Sequence, residues 1–359
     1  MRAAMVRKAG QERTEVRTDF TTKDLGPEDV RVRIRASGVC HSDLSAMNGV
    51  VANRRPFVLG HEGAGEVLEV GADVRAVRAG DHVTVCWVPP CGHCAFCLRG
   101  EGNLCTEVFI PAAQTPNFLL DGEPVYGMCG TGTLADEVVL PWQCAVPVPA
   151  DVPFEVAALI GCGVTTGVGA VFNTARVRPG SSVAVIGCGG VGVSVIQGAR
   201  IAGAAEILAV DPSADKRDLV GRFGATRTAA PEEARALMKE LTGKHGFDYV
   251  FECVGRGSLV RQAYELTRRG GSVVVVGVGS REDKVEFTMN ELFYDNKRIL
   301  STMYGGGDVR VEYDRLIRLW RAGRLDLESM VTARLPLERI DEALDLLRSG
   351  AAIRTVIEL

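Results

Sequence analysis

Ser181–Asp211 reads SSVAVIGCGGVGVSVIQGARIAGAAEILAVD, and the fold turns on it. Ser182–Ile186 is a short apolar run of strand type. It leads into Gly187-x-Gly189-x-x-Gly192, then a helical stretch, then a second apolar run, Glu206–Val210, that ends on Asp211. A glycine triplet alone is a weak signal. A strand before it, a helix after it and an acid about 20 residues on make it a dinucleotide-binding turn. Gly187 permits the tight turn, Gly189 lets a pyrophosphate approach the backbone, and Gly192 lets helix and sheet pack closely. Gly190 and Val191 lie between them at the helix N-terminus, whose free N–H groups and positive dipole end favour phosphate. Asp211 suits the ribose hydroxyls and repels a 2′-phosphate, which predicts NAD over NADP. The blander alternative is a glycine-rich turn that serves some other nucleotide.

Outward from this stretch the alternation continues. Tyr249–Glu252 and Ser272–Val276 are further apolar runs separated by amphipathic stretches, the pattern of parallel βαβ units. Residues 1–150 instead break into short β-type runs: Val30–Ala36, Gly63–Val70, His82–Val88 and Glu137–Leu140. Residues 155–171 read as a helix broken by the glycines around Cys162. The tail, Arg310–Leu359, reads as helix, loop, helix and a closing strand, Arg354–Leu359. Its segment Glu338–Leu347 reads as a solvated helix with an acidic face.

The chain has 359 residues, enough for two cores. A net charge of −4 offers no basic field for nucleic acid. The apolar stretches Val152–Phe172 and Val183–Val210 are dense in glycine and read as buried core, so no membrane span is expected. The N-terminus lacks the apolar run of a signal peptide, which predicts a cytoplasmic protein. There are 11 cysteines, better suited in a reducing compartment to metal ligation or core packing than to disulfides.

Their spacing separates these uses. Cys91-x-x-Cys94-x-x-Cys97-x₇-Cys105 brings four thiols into one short glycine-containing lobe, a set that suits a closed tetrahedral zinc with no open position. An iron–sulfur cluster is the competing reading, and no Cys-Pro follows the run to favour it. A second set is dispersed: Cys40 in GVCHSD, His61 and Glu62 in GHEGAGEV, and Cys162 in GCGVTTG. Each piece alone reads as an ordinary buried residue.

Taken in order, GVCHSD, GHEGAGEV, the four-cysteine lobe, GCGVTTG, GCGGVG and SGAAIRT resemble the medium-chain zinc-dependent alcohol dehydrogenases. The resemblance includes the branch of thiol-dependent formaldehyde dehydrogenases. It implies an α/β fold in which a GroES-like β-rich catalytic domain, residues 1–163 and 304–359, accompanies a doubly wound parallel Rossmann domain, residues 164–303. It implies two zinc ions per subunit, NAD as cofactor, and a homodimer or homotetramer acting on a small alcohol or aldehyde.

Roles follow from the same resemblance. Cys40, His61 and Cys162 would hold the catalytic zinc, the Cys₂His set known for alcohol dehydrogenase. Glu62 would assist ligand exchange, and Asp43 would orient His61. Ser42 would take the alcohol proton. Thr166 and Val191 would line the nicotinamide side, Val278 would also bind the cofactor, and His41 and Arg354 would approach the pyrophosphate. Lys216 would reach the adenosine ribose, and Trp87 would wall the substrate pocket. Where many members carry a His three residues beyond the relay hydroxyl, this chain has Ser45. Three rival readings remain: a dehydrogenase for the hydroxymethyl adduct of a small thiol such as mycothiol or glutathione, an enzyme of specialised or terpenoid alcohols with a wide apolar pocket, and a zinc-stabilised nucleotide-binding protein without turnover.

Overall fold

Six parallel strands carry the nucleotide half of the computed structural model, which describes residues 1–359. They are β1 (Ser182–Ile186), β2 (Glu206–Val210), β3 (Arg227–Ala229), β4 (Phe247–Glu252), β5 (Thr267–Val275) and β6 (Arg298–Ser301). Their order is β3-β2-β1-β4-β5-β6. Ile186 lies beside Val210 on one side and Glu252 on the other, so the strand order reverses at the end of β1. Val183, Val185, Leu208, Val250, Phe251 and Val273 are fully buried. A parallel sheet covered on both faces needs such near-continuous apolar strands, which is why these runs were legible. Helix α1 (Gly190–Ile201) follows β1, α2 (Ala214–Val220) follows β2, and α3 (Gly257–Leu266) follows β4.

This unit spans Val164–Gly306 and Ala322–Asp326; the other spans Met1–Gly163, Gly307–Arg321 and Leu327–Leu359. Beyond the expected ranges, two short pieces of the tail side with the nucleotide unit. Gly305 O accepts from Asn173 Nδ2 at 3.0 Å. Gln197 and Asp326 exchange two hydrogen bonds, at 3.0 and 2.7 Å.

The other unit is built on Asp29–Val39. Val30, Val32 and Ile34 point into its core while Arg31, Arg33 and Arg35 point outward, the period-2 alternation of a half-buried strand. Antiparallel partners flank it: Glu62–Val70, Glu137–Pro141 and the closing strand Arg354–Glu358. A second sheet of six short strands includes Ala3–Val6 and Pro116–Leu120.

Several expectations shift. The strand from His82 stops at Val85 instead of Val88, ahead of Pro89 and Pro90, which have no N–H for a ladder. Val331–Pro336, unread in the sequence, is a strand parallel to Arg354–Glu358. The late helix runs Ile340–Ser349 and is only half solvated: Ile340, Ala343 and Leu344 are buried with Leu337. The run Phe154–Ala175 is not broken at its glycines. It continues through wide turns at Ile160–Val164 and Ala170–Ala175, each with one extra residue per loop of backbone. It is the one helical run long and apolar enough to span a bilayer, and 83% of its most apolar window is buried inside the protein.

Candidate catalytic metal centre and nucleotide loop

Four side chains from three distant places converge in the unit built on Asp29–Val39. One donor atom from each of Cys40, His61, Glu62 and Cys162 lies within 4.8 Å of the others, and all four residues are buried. The local structure explains each placement. Cys40 caps the helix His41–Asn48, His61 and Glu62 stand at the entry to the strand Glu62–Val70, and Cys162 sits in the wide turn Ile160–Val164. That extra-residue turn redirects the backbone at Cys162, a common device at functional positions in helices.

Asp43 ties the pieces together from full burial. Its Oδ2 accepts from Cys40 N at 2.8 Å, its Oδ1 accepts from Gly60 N at 3.3 Å, and the same Oδ1 lies 3.4 Å from His61 Nδ1. His61 Nε2 is buried with no hydrogen-bond partner in the protein. A buried orphan nitrogen beside two sulfurs is costly unless something binds there.

The protonation pattern points the same way. The hydrogen bond from the Cys162 thiol holds Cys40 well below the usual thiol range, against the opposing effect of burial. That bond, with burial, pushes Cys162 up. Burial disfavours charge on His61, but Asp43 and Cys40 together raise it well above the ordinary value. Donors that share protons among themselves are donors that a dication can take over, so the set fits zinc.

Glu62 is fully buried and paired with Arg354, which is 4% exposed. The pair has grown into a tight space: a Cβ on Gly38 would meet Glu62 Oε2 at 2.2 Å. Arg354, expected at a pyrophosphate, therefore has its guanidinium on Glu62. Ser42 Oγ lies 3.8 Å from Cys40 Sγ and is half-buried; His41 is exposed. Trp87 stacks edge-on to His61 at 6.4 Å and to Phe109 at 6.0 Å.

The lobe cysteines form a separate, shallower set. Cys91, Cys94, Cys97 and Cys105 also offer sulfurs within 4.8 Å of one another. Cys91 and Cys97 sulfurs are 3.8 Å apart, Cys94 and Cys105 sulfurs 4.0 Å. The edge of a tetrahedron with metal–sulfur bonds of about 2.3 Å is roughly 3.8 Å. Backbone N–H groups of His93 and Cys94 point at Cys91 Sγ, at 3.4 and 3.2 Å, the support a thiolate needs. His93 itself is exposed, with its ring on Cys91 O. Sequence reasoning missed Arg310. Anchored by Asp308 at 3.0 Å, its Nη1 lies 3.6 Å from where a Cβ on Gly92 would stand, and the charges of Cys97 and Cys91 act on it.

In the nucleotide unit, Gly187 has φ +94°, which side chains rarely tolerate, and a Cβ on Gly192 would lie 1.8 Å from Gly187 O. A Cβ on Gly189 would meet nothing within 4 Å, leaving open space at the first turn of α1 for a phosphate. Asp211 is buried; its Oδ2 accepts from Cys188 N at 2.7 Å and its Oδ1 from Ser213 N at 2.9 Å. Gly190 is buried at the start of α1, with Val191 half-buried beside it. A Cβ on Gly167 would touch Val191 O at 2.5 Å, which places the turn of the half-buried Thr166 against α1.

The chain matches two protein-family models, an alcohol dehydrogenase GroES-like domain over residues 26–150 and a zinc-binding dehydrogenase over residues 190–321. It is 38% identical to an S-(hydroxymethyl)glutathione dehydrogenase of Photobacterium damsela subsp. piscicida, over 92% of each chain. It belongs to the zinc-dependent medium-chain alcohol dehydrogenases. Among solved structures, an alcohol dehydrogenase zinc-binding domain protein of Burkholderia ambifaria is similar with a TM-score of 0.93 and 32% identity, over 100% of this chain and 98% of that one. Benzyl alcohol dehydrogenase of Acinetobacter calcoaceticus is similar with a TM-score of 0.92 and 28% identity, over 100% and 99%.

As a member of this family the dehydrogenase is an oxidoreductase that uses zinc and a nicotinamide dinucleotide. Two residues follow Asp211 on α2. Lys216 is half-buried on α2, its N–H directed at Ser213 Oγ at 3.4 Å. Arg217, missed in the sequence, grips Asp211 O at 2.7 Å and so fixes the turn that presents the carboxylate. Val278 is 63% exposed, and its backbone packs on Gly255. Glu252, also missed, is fully buried at the end of β4, with Oε1 accepting from Val254 N and Gly255 N at 2.9 and 2.8 Å. No motif marks Arg217 or Glu252, whose partners are backbone groups of the adjoining turns.

Proposed function

We propose that this dehydrogenase interconverts a primary alcohol and its aldehyde with NAD, with Cys40, His61 and Cys162 holding the catalytic zinc and Cys91, Cys94, Cys97 and Cys105 a structural one. The convergence of Cys40 and Cys162 with His61, whose Nε2 is buried without a partner, carries the reading. When bound, zinc supplies Lewis-acid polarisation of the substrate oxygen, and the nicotinamide supplies or takes the hydride. The chain's own residues do the rest. Asp43 keeps His61 in one orientation with Nε2 facing the two sulfurs. Ser42 Oγ, beside Cys40 Sγ, receives the alcohol proton. With Ser45 where many relatives have His, that proton leaves through water or His41. Glu62, held back by Arg354, is the carboxylate at hand for ligand exchange. Trp87 and Phe109 form an apolar wall that favours an uncharged, hydrophobic substrate tail.

Asp211 supports NAD over NADP, since both its oxygens are fixed by backbone N–H groups and cannot turn away from a 2′-phosphate. Thr166 and Val191 serve the nicotinamide, Gly187, Gly189, Gly190 and Gly192 the pyrophosphate with His41, and Lys216 the ribose; Val278 also binds the cofactor. Eleven free cysteines suit a reducing, cytoplasmic setting. A homodimer or homotetramer is supported by the free edge of β6 and the exposed Met289, Phe293, Tyr294 and Ile299 near it.

The relative named S-(hydroxymethyl)glutathione dehydrogenase favours a second reading, oxidation of a thiol–formaldehyde adduct. A screen of primary alcohols with NAD, and of formaldehyde with and without glutathione or mycothiol, separates the two. Turnover of simple alcohols without thiol supports the first reading. Formaldehyde oxidation that requires a thiol, with simple alcohols inert, replaces it.

A further inference from the structure

At the end of the nucleotide sheet opposite the glycine-rich loop lies a cavity of about 610 Å³ lined by none of the candidate site residues. It opens at the N-terminal ends of β1, β4, β5 and β6, whereas Gly187 follows the C-terminal end of β1. The five residues of β1 separate the two places by roughly 16 Å. Four guanidinium-bearing residues line it, Arg176, Arg178, Arg268 and Arg298, against a single carboxylate, Asp248.

That carboxylate is fully committed. Its Oδ1 takes Arg268 Nε at 2.7 Å, and its Oδ2 takes Ser182 N and Oγ at 2.8 and 3.0 Å. Asp248 thus neutralises Arg268 and leaves three cations without a counter-charge. Arg178 has no side-chain partner; Arg176 and Arg298 reach only backbone carbonyls, Asn173 O and Gly270 O, at 3.4 Å each. Three guanidinium groups without a counter-charge around one cavity repel one another, an effect that salt screens over a Debye length of about 10 Å at 0.1 M. The arrangement stands out in a chain whose net charge is −4. Planar forks with paired N–H groups match phosphate oxygens bidentately, and the volume falls in the range of small-ligand sites. Tyr249 adds a ring to the lining, a surface for an organic portion.

We propose that this cavity is a binding site for a small phosphate-bearing anion, separate from the nucleotide loop. The test is calorimetric titration of inorganic pyrophosphate into the NAD-saturated enzyme, where NAD already fills the glycine-rich loop. The parent protein binds, more weakly as salt rises. Arg178→Ala with Arg298→Ala weakens binding at least tenfold, while the NAD affinity stays at the parent value. Parallel titrations with inorganic phosphate and with a hexose monophosphate distinguish the sources, since the better ligand names the inorganic or organic occupant. Arg178→Glu, at an exposed position with no partner to lose, gives the same loss should the double variant fold poorly. No binding by the parent at millimolar pyrophosphate, or undiminished binding by the arginine variants, overturns the site.

Discussion

The two clusters of candidate metal ligands in this dehydrogenase are built on opposite principles. The lobe set draws four cysteines from 15 residues of chain, three half-buried and Cys105 buried, and directs its own backbone N–H groups at their sulfurs. The other takes its cysteines and histidine from residues as far apart as 40 and 162, lies buried, and leaves His61 Nε2 without a protein partner. A local set closes on itself and holds a loop. A dispersed set is held open by the packing of whole elements, which is what a reacting site needs.

That contrast can be broken first at its reacting end. Cys162→Ala should lower kcat with alcohol by at least about a thousandfold, as expected when the ligand set of a Lewis acid is opened. The melting temperature should move by only a few degrees, because the wide turn keeps its backbone. Ser42→Ala should cost about a hundredfold in alcohol oxidation near neutral pH, less at high pH where solvent base is abundant, with steady-state rates across pH 6–9 as the check. Full turnover throughout that range would remove Ser42 from proton transfer.

At the closed end, Cys97→Ser should act on stability before chemistry. Removing one ligand of a structural zinc should cost several kcal/mol. Residual soluble enzyme should keep its KM for alcohol. A variant of normal melting temperature with two zinc ions per chain would erase the distinction between the clusters.

The smallest effect lies in the nucleotide unit. Burial raises the Glu252 carboxyl above its ordinary range. As pH rises from about 4.3, the unfolded chain loses its proton first, so ionisation penalises the folded state and the penalty is full above the folded pKa. Glu252→Gln keeps an acceptor for Val254 and Gly255 without that penalty. Denaturant titrations should therefore show its stability improving relative to the parent between pH 4 and pH 7. A constant difference would assign Glu252 a partner that burial hides.

Legibility in the sequence tracked the range of the contacts. Gly187, Gly189, Gly192 and Asp211 lie within one strand–helix–strand unit, so their spacing alone announced the turn. Cys91 to Cys105 did the same for the lobe. Cys40, His61 and Cys162 were readable only through the resemblance of their surrounding motifs, because nothing local marks them. The helix at Phe154–Ala175 read as broken since its glycines suggest a stop. Close packing, as of Gly167 on Val191, instead uses those glycines to carry the helix through. The Arg354–Glu62 pair and the approach of Arg310 to Gly92 join residues far apart in the sequence, while Arg217 and Glu252 hold nearby backbone that no motif marks.

Metal analysis of the purified His61→Ala variant tests the central claim most directly, set beside the parent enzyme. The account predicts two zinc ions per parent chain and one per variant chain, with the variant folded and inactive toward alcohol with NAD. A variant that keeps two zinc ions, or that oxidises alcohol at the parent rate, would contradict it.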